Sequence, residues 1–268
     1  MKTILITGAS TGLGKATALL FAGKGWNVIA TMRNPAAGSA LTEISNITVM
    51  PLDVTNQEQI TETIKKATDM HPVDVLFNNA GYGLMGPLEA YSDDQIARQL
   101  NTNFMGVIRV TRAMLPYMRE RRSGMIITAT SVGGMIAYPL SSLYHATKWA
   151  LEGWSESMSF ELAMHNIAIK TVAPGGIQTD FLGRSMDSAR LSQYDPLMQK
   201  LISSLDDPNA PLQFSSPESI ADVVFEAATD GKDQVRYVAG KDALAMYAQR
   251  LELGNEAFRK QMAALFSL

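Results

Sequence analysis

Apolar residues along this chain fall into short runs separated by longer stretches of helical period. The runs are Ile4–Ile6, Val28–Ala30, Ile47–Met50, Val73–Phe77, Met125–Thr128, Ile167–Val172 and Val235–Val238. Short continuous apolar runs alternating with helices are the pattern of a parallel sheet buried on both faces. The pattern predicts an α/β fold: a doubly wound parallel sheet of about seven strands with helices on both faces, a three-layer sandwich.

Polar residues mark where helices begin. Thr55 with Glu58, and Ser92 with Gln95, have capping-box spacing, and Ser216 stands before Pro217 at a first helical position. Helices are therefore predicted near 56–70, 93–119 and 217–228, with another over about 142–165. The segment 181–216 shows helical fragments but no strand pattern and carries Gly183, Pro196, Pro208 and Pro211. Following a sheet strand, it reads as a substrate lid, because open α/β sheets bind ligands beyond the carboxyl ends of their strands. Residues 241–268 form a C-terminal tail of helical period. With no linker or repeat, residues 1–268 are expected to form a single domain.

Composition narrows the functional classes. Of 268 residues, 46% are hydrophobic and 18% charged, enough apolar side chain to fill a core of this size. A net charge of -3 offers no basic field for a phosphate backbone or an anionic membrane, so neither nucleic acid nor membrane is an expected partner. The absence of cysteine removes disulfides, thiolate catalysis and Cys-ligated metals, and it fits a cytoplasmic address. The apolar start breaks at Gly8, short of a signal-peptide core, and reads as a first strand. His71, His145 and His165 show no ligand spacing, so no metal is expected; His145, turned about 100° from Tyr144 on a helix, is assigned a surface or interface role.

Directly after the first strand comes Thr7-Gly8-Ala9-Ser10-Thr11-Gly12-Leu13-Gly14, opening a helix. Glycines there allow a sharp turn and close approach to a pyrophosphate, and the helix start offers free N–H groups to an anion. The spacing is GxxxGxG, not the commoner GxGxxG, so the loop alone is a weak sign of a dinucleotide site.

Tyr144 and Lys148 stand four apart on the helix predicted after the fifth strand, so they share a face. A phenol titrates near 10, and a neighbouring cation favours its phenolate, which makes it a usable general acid or base. Ser131, at the end of the fifth strand, offers a hydroxyl to a substrate oxygen. Spacing by itself leaves the pair open between a solvated helix face and a proton-transfer site.

Taken together, these elements resemble the short-chain dehydrogenase/reductase family, in the branch with a TGxxxGxG loop and a YxxxK site. The resemblance rests on Thr7–Gly14, Asn78-Asn79-Ala80-Gly81, Asn103, Ser131, Tyr144, Lys148 and Pro174-Gly175, in order along nearly the whole chain. It implies a Rossmann-type fold and a catalytic tetrad. In that tetrad Tyr144 exchanges the proton, Ser131 orients the substrate oxygen, Lys148 binds the nicotinamide ribose and lowers the Tyr144 pKa, and Asn103 holds a relay water. It further implies cofactor contacts from Gly8, Ser10, Thr11, Gly12, Leu13 and Gly14, from Asp53 and Val54 at the adenine, from Asn79, Ala80 and Gly81, and from Pro174, Gly175, Ile177 and Thr179. Asn78 reads more simply as a sheet-stabilising residue.

Cofactor choice turns on the end of the second strand. An acid there binds a ribose 2′-hydroxyl, whereas a 2′-phosphate prefers a cation. Ala30-Thr31-Met32-Arg33-Asn34 holds no acid and offers Arg33. An arginine here resembles the NADP-preferring members, although the second basic residue usual before Gly12 is replaced by Thr11. NADP(H) is expected over NAD(H).

Met135, Tyr138, Phe181 and Met186, with Ser131 and Tyr144, are the expected substrate contacts. Their apolar, adaptable character predicts a hydrophobic ketone or secondary alcohol. The long helices carrying Asn103 and Tyr144 pair between subunits in the family, so a homodimer or tetramer is expected. Two other readings stand beside this one: an NAD-preferring alcohol dehydrogenase, and a non-catalytic NADP-sensing protein on the same fold.

Overall fold

In the computed structural model, residues 1–178, 186–206 and 213–267 are described. In chain order the strands are β1 Thr3–Thr7, β2 Asn27–Met32, β3 Ile47–Pro51, β4 Val75–Asn78, β5 Gly83–Met85, β6 Gly124–Ala129, β7 Ile167–Pro174, β8 Gly176–Ile177, β9 Met186–Ser188, β10 Phe214–Ser215 and β11 Arg236–Ala239. The helices are α1 Gly12–Gly23, α2 Ser39–Thr42, α3 Gln57–Met70, α4 Asp93–Leu100, α5 Gly106–Arg121, α6 Ser142–Ala163, α7 Asp195–Asp206, α8 Pro217–Thr229, α9 Lys241–Leu253 and α10 Asn255–Leu265.

Seven strands form one parallel sheet in the order β11-β7-β6-β4-β1-β2-β3. Alternation along each strand sends side chains to opposite faces. Ile4, Ile6, Val28 and Phe77 pack with α1 and α8, whereas Leu5, Ile29, Leu76 and Ile126 pack with α3, α5 and α6. Both faces of the sheet are thereby dry, as the unbroken apolar runs predicted. Strand order reverses direction between β1 and β4, which opens a crevice at their carboxyl ends.

Two of the three predicted caps form where expected. Ser92 and Gln95 make both halves of a capping box, and Ser216 accepts from the Ser219 N–H. The third is displaced by one residue. Asn56, not Thr55, caps α3 by accepting from Gln59 N at 3.0 Å, while Gln59 Oε1 accepts from Asp53 N and Thr55 turns its hydroxyl to Asp53. The helix predicted over 93–119 is real but interrupted: a π-helical turn at Asn101–Met105 separates α4 from α5. Strands do occur within 181–216. β9 pairs with β5 and β10 pairs with β8, each parallel. Three and two residues long, they are too short to show a period.

The C-terminal tail is two helices. Ala243, Met246 and Phe258 bury themselves against Val132, Met135 and Ile136, so the tail forms the floor of the segment after β6. Lys200 on α7 also donates to the Phe266 carbonyl at 3.1 Å, tying part of the 181–216 segment to the tail.

Candidate active site

At the β1–β4 crevice the glycine loop is shaped by contact. Gly8 (φ +70°) and Gly12 (φ +53°) occupy left-handed backbone. A Cβ on Gly14 would lie 2.3 Å from the Gly8 carbonyl oxygen and 2.5 Å from Asn79 Nδ2, so only glycine fits. Asn79 explains the closeness: its Nδ2 donates to the Thr7 and Gly8 carbonyls at 3.0 Å, while Thr7 Oγ1 accepts from the N–H groups of Asn79 and Ala80. Helix α1 has no side-chain cap and no acid in its first turn. Its N–H groups and dipole therefore face the crevice uncompensated, a cradle suited to a pyrophosphate. Asn78 donates to Thr111 Oγ1 at 2.9 Å, joining the sheet to α5 as the simpler reading held.

The carboxyl ends of β6 and β7 bring the proton-transfer candidates together. Ser131, buried just past β6, accepts from Gly133 N at 3.0 Å and lies 3.4 Å from the Pro174 carbonyl, to which it donates. The half-buried Tyr144 projects from the first turn of α6, and its phenol is hydrogen-bonded to Ser131. Burial raises the Tyr144 pKa, and the Ser131 bond works against that rise. One turn on, Lys148 Nζ lies 5.7 Å from the Tyr144 ring centre and donates to the Ala129 carbonyl at 2.8 Å. Burial lowers the Lys148 pKa to about 8, opposed by the charge of Glu152. Burial thus brings the lysine down and the phenol up, and the expected lowering of the phenol by Lys148 does not appear among the causes of its shift.

Asn103 sits in the π turn, fully buried, and its amide is spent on one residue. Nδ2 donates to Tyr82 O at 2.8 Å and Oδ1 accepts from Tyr82 N at 3.0 Å. It clamps the loop after Gly81, where π turns often mark function. Asp53 Oδ1 accepts from Thr55, and Val54 packs beneath Gly106, where a Cβ would come within 2.8 Å of its Cγ2. Arg33 is exposed at the end of β2 and has no hydrogen bond or ion pair among the described residues; Thr11 is exposed and Ser10 half-buried. Ile177 lies in β8 beside Phe214 and Ser215. Thr179 and Phe181 lie outside the described residues.

Of the expected substrate contacts, Met135 is turned into the cluster shared with the tail, Tyr138 sets its ring edge-on to His145 at 4.3 Å, and Met186 lies half-buried in β9 beside Gly83. Ser142, two residues before Tyr144, lines an open cleft of about 510 Å³ with Pro87, Leu88, Leu140, Tyr194 and Leu197. Among the described residues no three His, Cys, Asp or Glu side chains gather as metal ligands. No helix among them is long and apolar enough to cross a membrane.

Three residues matter more than the sequence reading allowed. His145 is not at the surface: it is buried, with Nδ1 2.7 Å from Gly133 O and Nε2 accepting from Tyr138 N. Tight packing behind β6, where a Cβ on Gly133 would meet the ring at 2.9 Å, outweighs its position on the helical wheel. Glu152 is a buried carboxylate on the face of Tyr144 and Lys148, legible as the next four-residue step. Asp242 accepts from Gly176 N at 2.8 Å, and its carboxylate occupies the space a Cβ on Gly175 would need. Nothing in the local sequence announces that contact, which joins the tail to the loop after β7.

Comparison with known proteins agrees with this geometry. The profile of the short chain dehydrogenase family matches residues 2–189. An uncharacterized oxidoreductase of Schizosaccharomyces pombe is 36% identical over 237 residues, covering 86% of this chain and 99% of its own. A 3-ketodihydrosphingosine reductase of Bacteroides thetaiotaomicron is 36% identical over 75% of this chain and 74% of its own. Human retinol dehydrogenase 8 is 37% identical over 72% of this chain and 64% of its own. A short-chain dehydrogenase structure from Streptomyces avermitilis superposes with TM-score 0.84 at 30% identity, covering 98% of this chain and 95% of that one. One from Burkholderia cenocepacia in complex with NADP gives 0.77 at 25%, covering both chains fully (100% of each). One from Burkholderia phymatum in complex with NAD gives 0.80, covering 94% and 93%, and at 22% identity it shows the shared fold alone. By the residues matched and the sheet they build, the chain belongs to the short-chain dehydrogenase/reductase family and is an oxidoreductase.

Proposed function

We propose that the protein is an NADP(H)-dependent ketoreductase or secondary-alcohol dehydrogenase for hydrophobic substrates, with Tyr144 as general acid and base. The observation that carries this reading is the Tyr144–Ser131 hydrogen bond with Lys148 one turn behind, at the carboxyl ends of β6 and β7. The glycine cradle and the uncapped α1 fit a dinucleotide, which Gly8–Gly14, Asn79–Gly81, Lys148 and Pro174–Ile177 would hold. When bound, the nicotinamide supplies or accepts the hydride. In reduction, Ser131 and Tyr144 hold the substrate oxygen, and the Tyr144 proton passes to it as negative charge develops. Lys148 stabilises the phenolate left behind. Asn103 keeps the Gly81–Tyr82 backbone in place, which holds one wall of the site still.

Arg33 favours NADP(H), because a guanidinium at the end of β2 with no partner among the described residues can fork onto a 2′-phosphate. The apolar rim of the Ser142 cleft supports a hydrophobic substrate. Two relatives are named for 3-ketodihydrosphingosine and for retinol, both hydrophobic molecules, which points the same way. Residues 181–216 serve as the lid of this one catalytic domain, and the exposed Phe160 on α6 and Met164 just past its end, 74% accessible each, support a homodimer through that helix.

The test is turnover of NADPH and of NADH with a panel of cyclic, aryl-alkyl and long-chain ketones and retinal. Consumption of NADPH in preference to NADH, rising with substrate hydrophobicity, is the expected result. No turnover with any carbonyl, or preference for NADH, contradicts the reading.

A further inference from the structure

Behind the Tyr144–Lys148 pair lies a buried ionic group that the reaction as described does not use. Tyr144, Lys148 and Glu152 descend one face of α6 at successive four-residue steps. Glu152 is buried, with its side chain only 5% exposed. Three donors converge on it, two from strands and one from the residue just past β6. Thr130 of the β6 end donates to Oε1, Thr171 of β7 donates to Oε2 at 3.2 Å, and Arg236 of β11 donates its Nε–H to Oε2 at 2.7 Å.

These contacts lead straight to the site. Thr130 directly precedes Ser131, and the carbonyl that receives the Lys148 ammonium belongs to Ala129, directly before Thr130. A Cβ on Gly134 would lie 2.9 Å from the Lys148 carbonyl and 3.2 Å from Glu152 Cγ, so the loop after β6 is closed down onto this turn of α6.

We propose that Glu152 is a positioning residue for the reaction, fixing Thr130 so that Ala129 and Ser131 present their polar groups to Lys148 and Tyr144, and placing a negative charge one helical turn from the ammonium. Arg236 is its counter-ion. A buried carboxylate is costly unless paired, and Arg236 together with two hydroxyls satisfies it. The charged and titratable groups around it are Lys148 and Glu156 on α6, Arg236 on β11 with Glu156 3.6 Å away, and Tyr247 on α9. The residue after β6 and β7 itself contribute the hydroxyls of Thr130 and Thr171.

The electrostatic consequence has a definite sign. Burial lowers the Lys148 pKa to about 8, and the Glu152 charge acts in the opposite direction. Removing that charge while Arg236 remains leaves the guanidinium uncompensated in the same buried group, and Lys148 loses its proton at lower pH. Removing both charges takes away the repulsion along with the attraction, so Lys148 recovers part of the difference.

The inference rests on the reading of Tyr144 and Lys148 as the proton-transfer pair, and its test is arranged to fail separately. Lysine-labelled full-length protein is titrated by carbon NMR, alone and with NADPH, following the Lys148 signal that disappears in Lys148→Arg. Wild type, Glu152→Gln and the double variant Glu152→Gln/Arg236→Met are compared. The expected midpoints fall in the order wild type, double variant, Glu152→Gln, with about one pH unit between first and last. The alkaline limb of kcat for ketone reduction should move down in the same order. If the single variant does not fold, a double-variant midpoint below wild type carries the same conclusion. Midpoints that coincide in wild type and in every folded variant overturn the proposal. Tyr144→Phe is assayed in parallel: a dead Tyr144→Phe with unmoved midpoints sinks only the role of Glu152, whereas an active one sinks the reading beneath it.

Discussion

Replacing Gly14 by alanine places a methyl group 2.3 Å from the Gly8 carbonyl oxygen and 2.5 Å from Asn79 Nδ2. Both neighbours are rigid. Gly8 itself approaches Ala80, and Asn79 is held by the Thr7 and Gly8 carbonyls. Relief therefore requires the loop to retreat by roughly 1 Å, because close-packed interiors leave no slack. That motion breaks the two Asn79 bonds, at about 1 kcal/mol each. It also moves the N–H groups of the cradle away from the pyrophosphate, and a displacement of that size costs about a hundredfold in a positioned interaction. Gly14→Ala should thus lose about 2 kcal/mol of stability, read from chemical denaturation, and bind NADPH about a hundredfold more weakly by fluorescence titration. Gly153→Ala is the matched control. Nothing lies within 4 Å of its Cβ position, and it sits inside α6, so alanine should stabilise by about 0.5–1 kcal/mol. NADPH binding by Gly14→Ala at wild-type strength would refute the cradle.

Arg33→Ala should weaken NADPH by about ten- to a hundredfold, the worth of a charge-assisted bond, and leave NADH unchanged in parallel titrations. Equal losses for both would remove the assignment of the 2′-phosphate. Lys170→Met should cost about 3 kcal/mol, because the buried Lys170 donates to Asp230 at 2.9 Å and to Tyr237 at 3.0 Å. For Asp230, burial alone would raise the carboxyl pKa, but bonds from Lys170, Tyr237 and the Lys232 N–H outweigh it and hold the group well below the usual range. Its stabilisation is therefore present above the unfolded value of about 4 and lost as pH falls through the folded one, so the Lys170→Met deficit should shrink on acidification. A deficit independent of pH in urea melts would contradict this.

Much of the sheet was legible because burial on both faces leaves unbroken apolar runs, and all seven strands of the main sheet fall on those runs. Ser92 and Ser216 were legible because caps are local. Asn56 was not, since Gln59 is taken by Asp53, six residues back, and the cap moves to suit it. The π turn at Asn103 was not read because its one extra residue shifts the helical phase by about 100° over a single turn, too short a stretch to separate two phases in the apolar pattern. At the site, Ser131, Tyr144 and Lys148 lie together, an arrangement that spacing left open and that only the family resemblance implied. His145 was misjudged because a wheel shows direction but not what stands there: the Gly133 carbonyl and the Tyr138 backbone enclose it. Asp242 was missed because its partner, Gly176, lies 66 residues away and meets it only through the pairing of β7 with β11.

The central claim is that Tyr144 moves the proton, and Tyr144→Phe tests it most directly, because it removes one oxygen and leaves the ring that packs near His145. Steady-state reduction of the best ketone by NADPH, with NADPH affinity measured alongside, should show kcat falling by about a hundred- to ten-thousandfold at unchanged cofactor binding. A Tyr144→Phe variant that turns over at a rate near wild type would contradict the account.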